Sequence, residues 1–357
     1  MMSANKRKVV VAMSGGVDSS VTAGLLVEEG YDVAGVSLRL WECDRQGAQS
    51  CSDYIGARTI AGILGIPHTL LDLRSEFLRA VAKPFARSYL QGSTPNPCVA
   101  CNRDFKLGAL LEWAAGQGVD CVATGHYARI SRNPSTGHAS LFRGADQKKD
   151  QSYFLFALSQ EQLARTLFPL GRLTKAEVRR SASRLGLPVA DRPESQDICF
   201  GDYKSLVASV SDGSELREGE IVDRSGQVLG RHRGVHNFTV GQRKGLGISA
   251  SHPLYVLHID AANQRVMVGS KEALRCRGMV VDAVNWIEHP EKKEIAAEVQ
   301  IRYRASPASC LARLNGKGKY EVLFEDGFPS VTPGQAAVFY RGEQVLGGGW
   351  IEKALSE

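Results

Sequence analysis

Short apolar runs alternate with helical spacing through the first half of the chain. Val9-Val10-Val11-Ala12-Met13 has the continuous hydrophobicity of a buried strand, and Val21 to Gly30 has the spacing of a helix. Between them lies Ser14-Gly15-Gly16-Val17-Asp18-Ser19-Ser20. Val33 to Leu40 predicts a second strand, residues 42–53 a polar loop, and Ile55 to Leu64 a helix ended by Gly65 and Pro67. A third strand is expected over His68 to Leu73 and a helix over Ser75 to Leu90, with Phe77, Leu78, Val81 and Phe85 on one face. Lys106 to Gln117 reads as a further helix and Cys121 to Thr124 as a strand. This alternation predicts a parallel sheet covered on both faces, with ligands at the carboxyl ends of its strands. The glycine loop, Gly125-His126 and the segment near residues 92–102 would converge there.

Residues 160–186 give two helices around Pro169-Leu170-Gly171, and Ala190 to Phe200 is irregular and polar. From about residue 209 the pattern shifts to short strands punctuated by glycine: Gly219 to Asp223, Asn237 to Gln242 and Leu254 to His258. A last set (Val280 to Trp286, Ala296 to Tyr303, Tyr320 to Phe324, Ala336 to Tyr340, Val345 to Ile351) has the length and turn spacing of a small β-barrel. At 357 residues the chain is long enough for two or three cores.

Charge adds a direction. The net charge of +6 permits an acidic partner such as nucleic acid. Residues 1–200 hold 24 Lys and Arg against 19 Asp and Glu, and the remainder 20 against 19, so a polyanion would lie mainly across the first part. No apolar run approaches a membrane span, and the basic Met1 to Lys8 leads straight into a strand rather than a signal peptide. Eight cysteines without paired spacing throughout suit a reducing compartment, so a cytoplasmic location is expected. A monomer is expected because no long exposed apolar stripe is evident.

The glycine loop has the parts of a phosphate cradle. Gly15 and Gly16 let the backbone approach an anion, and Ser19 and Ser20 are placed to cap a helix whose N-terminus favours negative charge. It lacks the lysine of the G-x-x-x-x-G-K-[ST] loop and the spacing of G-x-G-x-x-G. Ser-Gly-Gly-x-Asp-Ser resembles the pyrophosphate loop of ATP pyrophosphatases, which cleave between the α and β phosphates. In that resemblance Asp18 helps hold the Mg²⁺ of the leaving pyrophosphate.

Two cysteine segments could carry chemistry. Gly92 to Asn102 contains Pro95-Asn96-Pro97-Cys98 and Cys101, a loop expected to be non-helical ahead of a helix. Arg103 and Lys106 would favour the Cys101 thiolate. Ser195-Gln196-Asp197-Ile198-Cys199-Phe200 is the second. Structural zinc would want four ligands. Two alternatives stand: thiols exchanging sulfur, which leads, or Cys98, Cys101 and Cys199 holding a [4Fe–4S] cluster with one open iron. Cys121 and Cys310 read as packing residues.

Taken with Thr124-Gly125-His126-Tyr127, Lys149-Asp150-Gln151-Ser152-Tyr153-Phe154 and Gly347-Gly348-Gly349, these motifs resemble the tRNA-specific 2-thiouridylase family (MnmA) from residue 9 to about residue 350. The resemblance implies an α/β Rossmann-like nucleotide-binding domain over residues 1–208, a small central domain over 209–274 and a C-terminal β-barrel over 275–357. It implies a tRNA-uridine 2-sulfurtransferase acting on wobble uridine 34 in the anticodon stem-loop of tRNAs for Lys, Glu and Gln. ATP with Mg²⁺ adenylates the C2 oxygen, and sulfur comes from an upstream persulfide carrier. Cys199 matches the persulfide cysteine and Cys101 the nucleophile that later closes a disulfide with it. ATP contacts fall on Ala12, Met13, Ser14, Gly15, Gly16, Val17, Asp18, Ser19, Leu38 and Gly125. Asn96, Pro97 and Cys98 match the segment against the target base, and His126, Lys149, Asp150, Gln151, Arg302, Tyr303 and Arg341 match tRNA contacts. One departure is Cys98, where some members carry an Asp assigned acid–base work.

Overall fold

The computed structural model describes residues 6–41, 49–192, 203–211, 213 and 216–356. The chain forms two units. One comprises Met1–Leu78, Cys98–Gly201 and Glu343–Val345, the other Arg79–Pro97, Asp202–Gly342 and Leu346–Glu357.

The first unit contains β1 (Lys8–Ala12), α1 (Val17–Glu28), β2 (Asp32–Arg39), α2 (Gln49–Leu64), β3 (His68–Asp72), β4 (Val122–Ala123), the hairpin β5 (Ala128–Arg132) and β6 (Ala139–Arg143), and β7 (Thr166–Leu167). Five strands make a wholly parallel sheet in the order β3-β2-β1-β4-β7. Its centre is β1, which explains why Val9, Val10 and Val11 form an unbroken apolar run: a strand covered on both faces has no polar side. Val21 and Leu26 of α1, Ile60 of α2 and Ala182 of the helix Lys175–Arg184 close the core over it.

Two expectations fail here. Residues 49–53 belong to α2 rather than to a loop. The helix expected at Lys106 begins at Pro97 and runs to Gly116, with a π-helical stretch over Cys101–Ala109. Proline fits the first helical position, where its missing N–H costs nothing, so Pro97 opens the helix instead of breaking it.

In the second unit, β8 (Gly219–Val222), β9 (Val228–His232), β10 (Tyr255–Asp260) and β11 (Arg265–Gly269) form a sheet in the order β10-β11-β8-β9. A barrel follows from β12 (Cys276–Trp286), β13 (Glu294–Gln300), β14 (Ala308–Leu314), β15 (Tyr320–Phe328), β16 (Ala336–Arg341) and β17 (Gln344–Ser356). Its order is β12-β15-β14-β13-β16-β17, closed by antiparallel pairing of β17 with β12. The strand expected over Asn237 to Gln242 is absent. A 3₁₀ turn occupies Val235–Asn237, and Gly241 takes φ +88°, which a strand does not tolerate. Among the described residues no helix is long and apolar enough to cross a membrane.

Candidate active site

The glycine loop turns at Gly15, whose φ is +72°. Gly16 is the N-cap of α1, and no side chain caps the helix. The serines expected to do so point elsewhere. Ser19 and Ser20 donate back to the Gly16 carbonyl at 3.2 and 2.7 Å, and Ser19 Oγ accepts from the Ser14 amide at 3.1 Å. The first-turn N–H groups of α1 therefore keep their capacity for an anion. Gly125 lies directly on this turn: a Cβ there would sit 2.9 Å from Asp18 C and Ser19 N. Only glycine permits that approach. Ala12 ends β1, and Val17 is buried at the start of α1. The Met13 amide donates to Val36, and its carbonyl accepts from Ser37 Oγ at 2.7 Å. Leu38 stands on β2 beside Leu71 of β3.

Asp18 is already engaged. Lys175 Nζ lies 2.7 and 2.9 Å from its two carboxylate oxygens, and Tyr127 Oη donates to it at 2.7 Å. The Lys175 ammonium also lies 5.8 Å from the centre of the Tyr127 ring. Arg192 Nη1 donates to the Gly15 carbonyl at 2.8 Å. Lys175 and Arg192 escaped the sequence reading, and Tyr127 was read only as part of a motif with no role, although one signal was present. Thr174 and Glu177 form a capping box, readable as T-K-A-E, and put a lysine where the helix dipole favours an acid.

Tyr127 is itself held by Gln151. The Tyr127 amide donates to Gln151 Oε1 at 3.0 Å, and the Gln151 amide donates to the Tyr127 carbonyl at 2.9 Å. Asp150 is buried and accepts from Arg143 at 2.8 Å and from the Gly144 and Ser152 amides and the Ser152 hydroxyl at 3.0 Å each. Lys149 is half-buried, its amide donating to Asp146. His126 is buried, its Nδ1 2.7 Å from Thr124 Oγ1, and burial with the charge of Lys106 pushes its pKa down to about 3. Of the four tRNA-contact expectations in this region, two therefore sit inside the protein as structural polar groups.

Cys98 and Cys101 lie in the early turns of the helix opened by Pro97. Cys98 is half-buried and Cys101 is buried, 3% exposed, although a nucleophilic thiolate has to be reached by its partner. The early helix start is the reason, since it turns Cys101, Asn102 and Phe105 inward. Arg103 is spent on Asp104 at 2.6 Å rather than on the thiolate. The π-helical stretch leaves carbonyls that Gln162 Nε2 satisfies, at Arg103 (2.6 Å) and Leu107 (3.1 Å). Cys199, the other half of the expected pair, lies outside the described residues. Among the described residues no group of three His, Cys, Asp or Glu could hold a metal ion.

In the second unit the chain leading to Asn96 and Pro97 is clamped. The Thr94 amide donates to the Pro333 carbonyl at 3.0 Å, and Gln335 Nε2 donates to the Thr94 carbonyl at 2.8 Å. A Cβ on Gly334 would lie 3.0 Å from the Thr94 backbone. Next to it, Arg302 Nη2 donates to Ser330 Oγ and Thr332 Oγ1 at 2.9 and 2.8 Å. Tyr303 carries the Arg304 guanidinium over its ring at 5.2 Å. Arg341 ends β16 beside a cavity of about 540 Å³ that also contains Cys310, whose thiol burial pushes up to about 12.

This arrangement has known counterparts. The family model described as "tRNA methyl transferase HUP domain" matches residues 7–202, the "PRC-barrel domain" of the same series 210–270, and "Aminomethyltransferase beta-barrel domain" 276–351. A tRNA-specific 2-thiouridylase MnmA of Geobacter metallireducens is 48% identical, covering 99% of this chain and 98% of that protein. Its counterpart in Geotalea uraniireducens is 49% identical, covering 100% and 98%. The chain belongs to the tRNA-specific 2-thiouridylase family. Membership extends across both units, since the similarity runs from end to end.

Proposed function

We propose that the chain replaces the C2 oxygen of wobble uridine 34 in tRNA with sulfur, using ATP. The uncapped start of α1 beneath Gly125, flanked by Lys175 and Arg192, carries this reading. Such a site suits a polyphosphate. In the first step the C2 oxygen attacks the α-phosphorus of ATP and pyrophosphate departs. The ring oxygen, a poor leaving group by itself, becomes the oxygen of AMP. The terminal sulfur of a Cys199 persulfide then attacks C2, and AMP leaves. Cys101 attacks the remaining Cys199 sulfur, and the resulting disulfide is reduced before the next round. An upstream sulfur-carrier protein renews the persulfide.

Magnesium fits Asp18 only if the lysine gives way, because both carboxylate oxygens already accept from Lys175. When bound, Mg²⁺ would neutralise charge on the departing pyrophosphate. Cys101 is buried and must become exposed to react, and a π-helical stretch, often found at functional sites, begins at that residue. The matched segments 7–202, 210–270 and 276–351 support a division into domains at 1–208, 209–274 and 275–357.

Incubation with ATP, unmodified tRNA and a persulfide donor tests the reading. AMP and 2-thiouridine should appear together, and Cys199→Ser should abolish the thiolated product. ADP in place of AMP would contradict it, and a methylated base without AMP would favour the methyltransferase wording of the family models. A second reading keeps Cys98, Cys101 and Cys199 as ligands of a [4Fe–4S] cluster, favoured by Cys98 standing one helical turn from Cys101. Negligible iron and sulfide after anaerobic purification would eliminate it.

A further inference from the structure

The second unit presents a glycine turn that none of the steps above employs. Gly241, Gly245 and Gly247 have φ of +88°, +75° and +71°, so the chain turns repeatedly between 241 and 247. Its root is fixed. The Gly241 amide donates to the Val256 carbonyl at 2.8 Å, and the Val256 amide donates to the Gln242 carbonyl at 2.9 Å. The Gln242 side chain accepts from the Thr239 amide and donates to the Lys244 carbonyl, both at 3.0 Å. Leu246 anchors the middle, packed into the core with Val235, Phe238 and Val256.

What this anchored loop displays is positive. Arg243 and Lys244 are exposed, and among the described residues neither has an acidic partner. The N–H groups of residues 243–248 make no hydrogen bond within the described protein. Arg243, Gly245, Gly247 and His252 line an open cavity of about 300 Å³ that contains no carboxylate. At the root, a methyl group added to Gly241 would lie 3.5 Å from Arg302 Nη2. Two adjacent exposed cations without counter-charge attract an anion. Exposed amides on left-handed glycines supply the close backbone approach that a phosphate needs.

We propose that the 241–253 loop is a phosphate-contact site for the tRNA backbone, with Arg243 and Lys244 as its cations. The inference rests on the tRNA reading above. An RNA strand is the favoured ligand because the cavity is open rather than enclosing one small anion, and because the Arg302 guanidinium approaches the root of the same loop at Gly241. Contacts of this kind position a nucleic acid without reading its sequence.

The test is binding of unmodified tRNA between about 50 and 200 mM salt, where phosphate contacts dominate the dependence. Arg243→Ala with Lys244→Ala should weaken binding about tenfold or more and make the log–log salt slope shallower by about one to two. The loss should be equal for tRNAs with other anticodons, and ATP binding should be unchanged. Arg243→Lys, which keeps the charge, should retain the slope. Unchanged affinity and slope in the double variant would overturn the inference, as would weaker binding with the original slope. Failure of the unaltered protein to bind tRNA would instead remove the functional reading, and this inference with it.

Discussion

Lys175 Nζ sits 2.7 Å from Asp18 Oδ1, so a cation from the start of a distant helix reaches the glycine loop that lacks a lysine of its own. The side chain of Lys175 is only 12% exposed, and the Tyr127 ring borders it. Lys175→Met should reduce ATP affinity about tenfold or more, the size of a charge-assisted hydrogen bond to phosphate. Adenosine affinity should hold. Calorimetric titration with both ligands separates lost phosphate contact from general damage, which would weaken the two alike.

Asp150 and Lys149 are neighbours with opposite consequences. Asp150→Ala removes the carboxylate that the largely buried Arg143 meets at 2.8 Å and takes the acceptor from three further donors. A cost of about 3 kcal/mol or more in urea unfolding is expected. Lys149→Ala should cost less than about 0.5 kcal/mol there. If Lys149 touches tRNA, the same variant should lower tRNA affinity, read by filter binding.

His126 makes stability depend on acid. Its folded pKa of about 3 lies below the ordinary value of 6.5, so between those limits the unfolded chain binds the extra proton. Stability from this group is complete above about 6.5 and falls as pH drops toward 3. From pH 7 to pH 5 the loss should be about 2 kcal/mol. His126→Gln should remove that part of the slope, which denaturant unfolding at the two pH values would reveal.

The Thr94 clamp should matter to turnover more than to folding. Gln335→Ala removes the donor to the Thr94 carbonyl and loosens the approach to Asn96 and Pro97. A drop in kcat of about tenfold is expected from misplacement at the reacting base. ATP affinity should not change. A variant with unchanged single-turnover rate would show that the clamp does not position this segment.

Much of this was legible beforehand, and the reasons differ by element. The β1 run and the glycine turn announce themselves because a central strand and a left-handed turn admit few residue types. Gly125 was found by motif, yet its necessity, a Cβ meeting the Asp18 backbone at 2.9 Å, is visible only in three dimensions. Lys175, Tyr127 and Arg192 converge on the loop from separate elements, and spacing carries no trace of such meetings. The 97–101 turn was misread because Pro97 was taken as a breaker when it occupies the one helical position that suits it. β9 and β14 went unnoticed: Val228–His232 shows exposed apolar residues, and Ala308–Leu314 ends on a charged, exposed face.

Residues Glu343–Val345 belong with the first unit, where Gln344 and Val345 pair with Phe142 and Leu141 of β6. Synthesis on the ribosome therefore delivers the last edge of the nucleotide-binding body about 200 residues after the hairpin strand it pairs with. Until then the β5–β6 hairpin waits with one side unpaired. Nascent chains of this enzyme should depend on chaperones that shelter open strand edges, and a stop codon just before Glu343 should injure the first unit as well as the second.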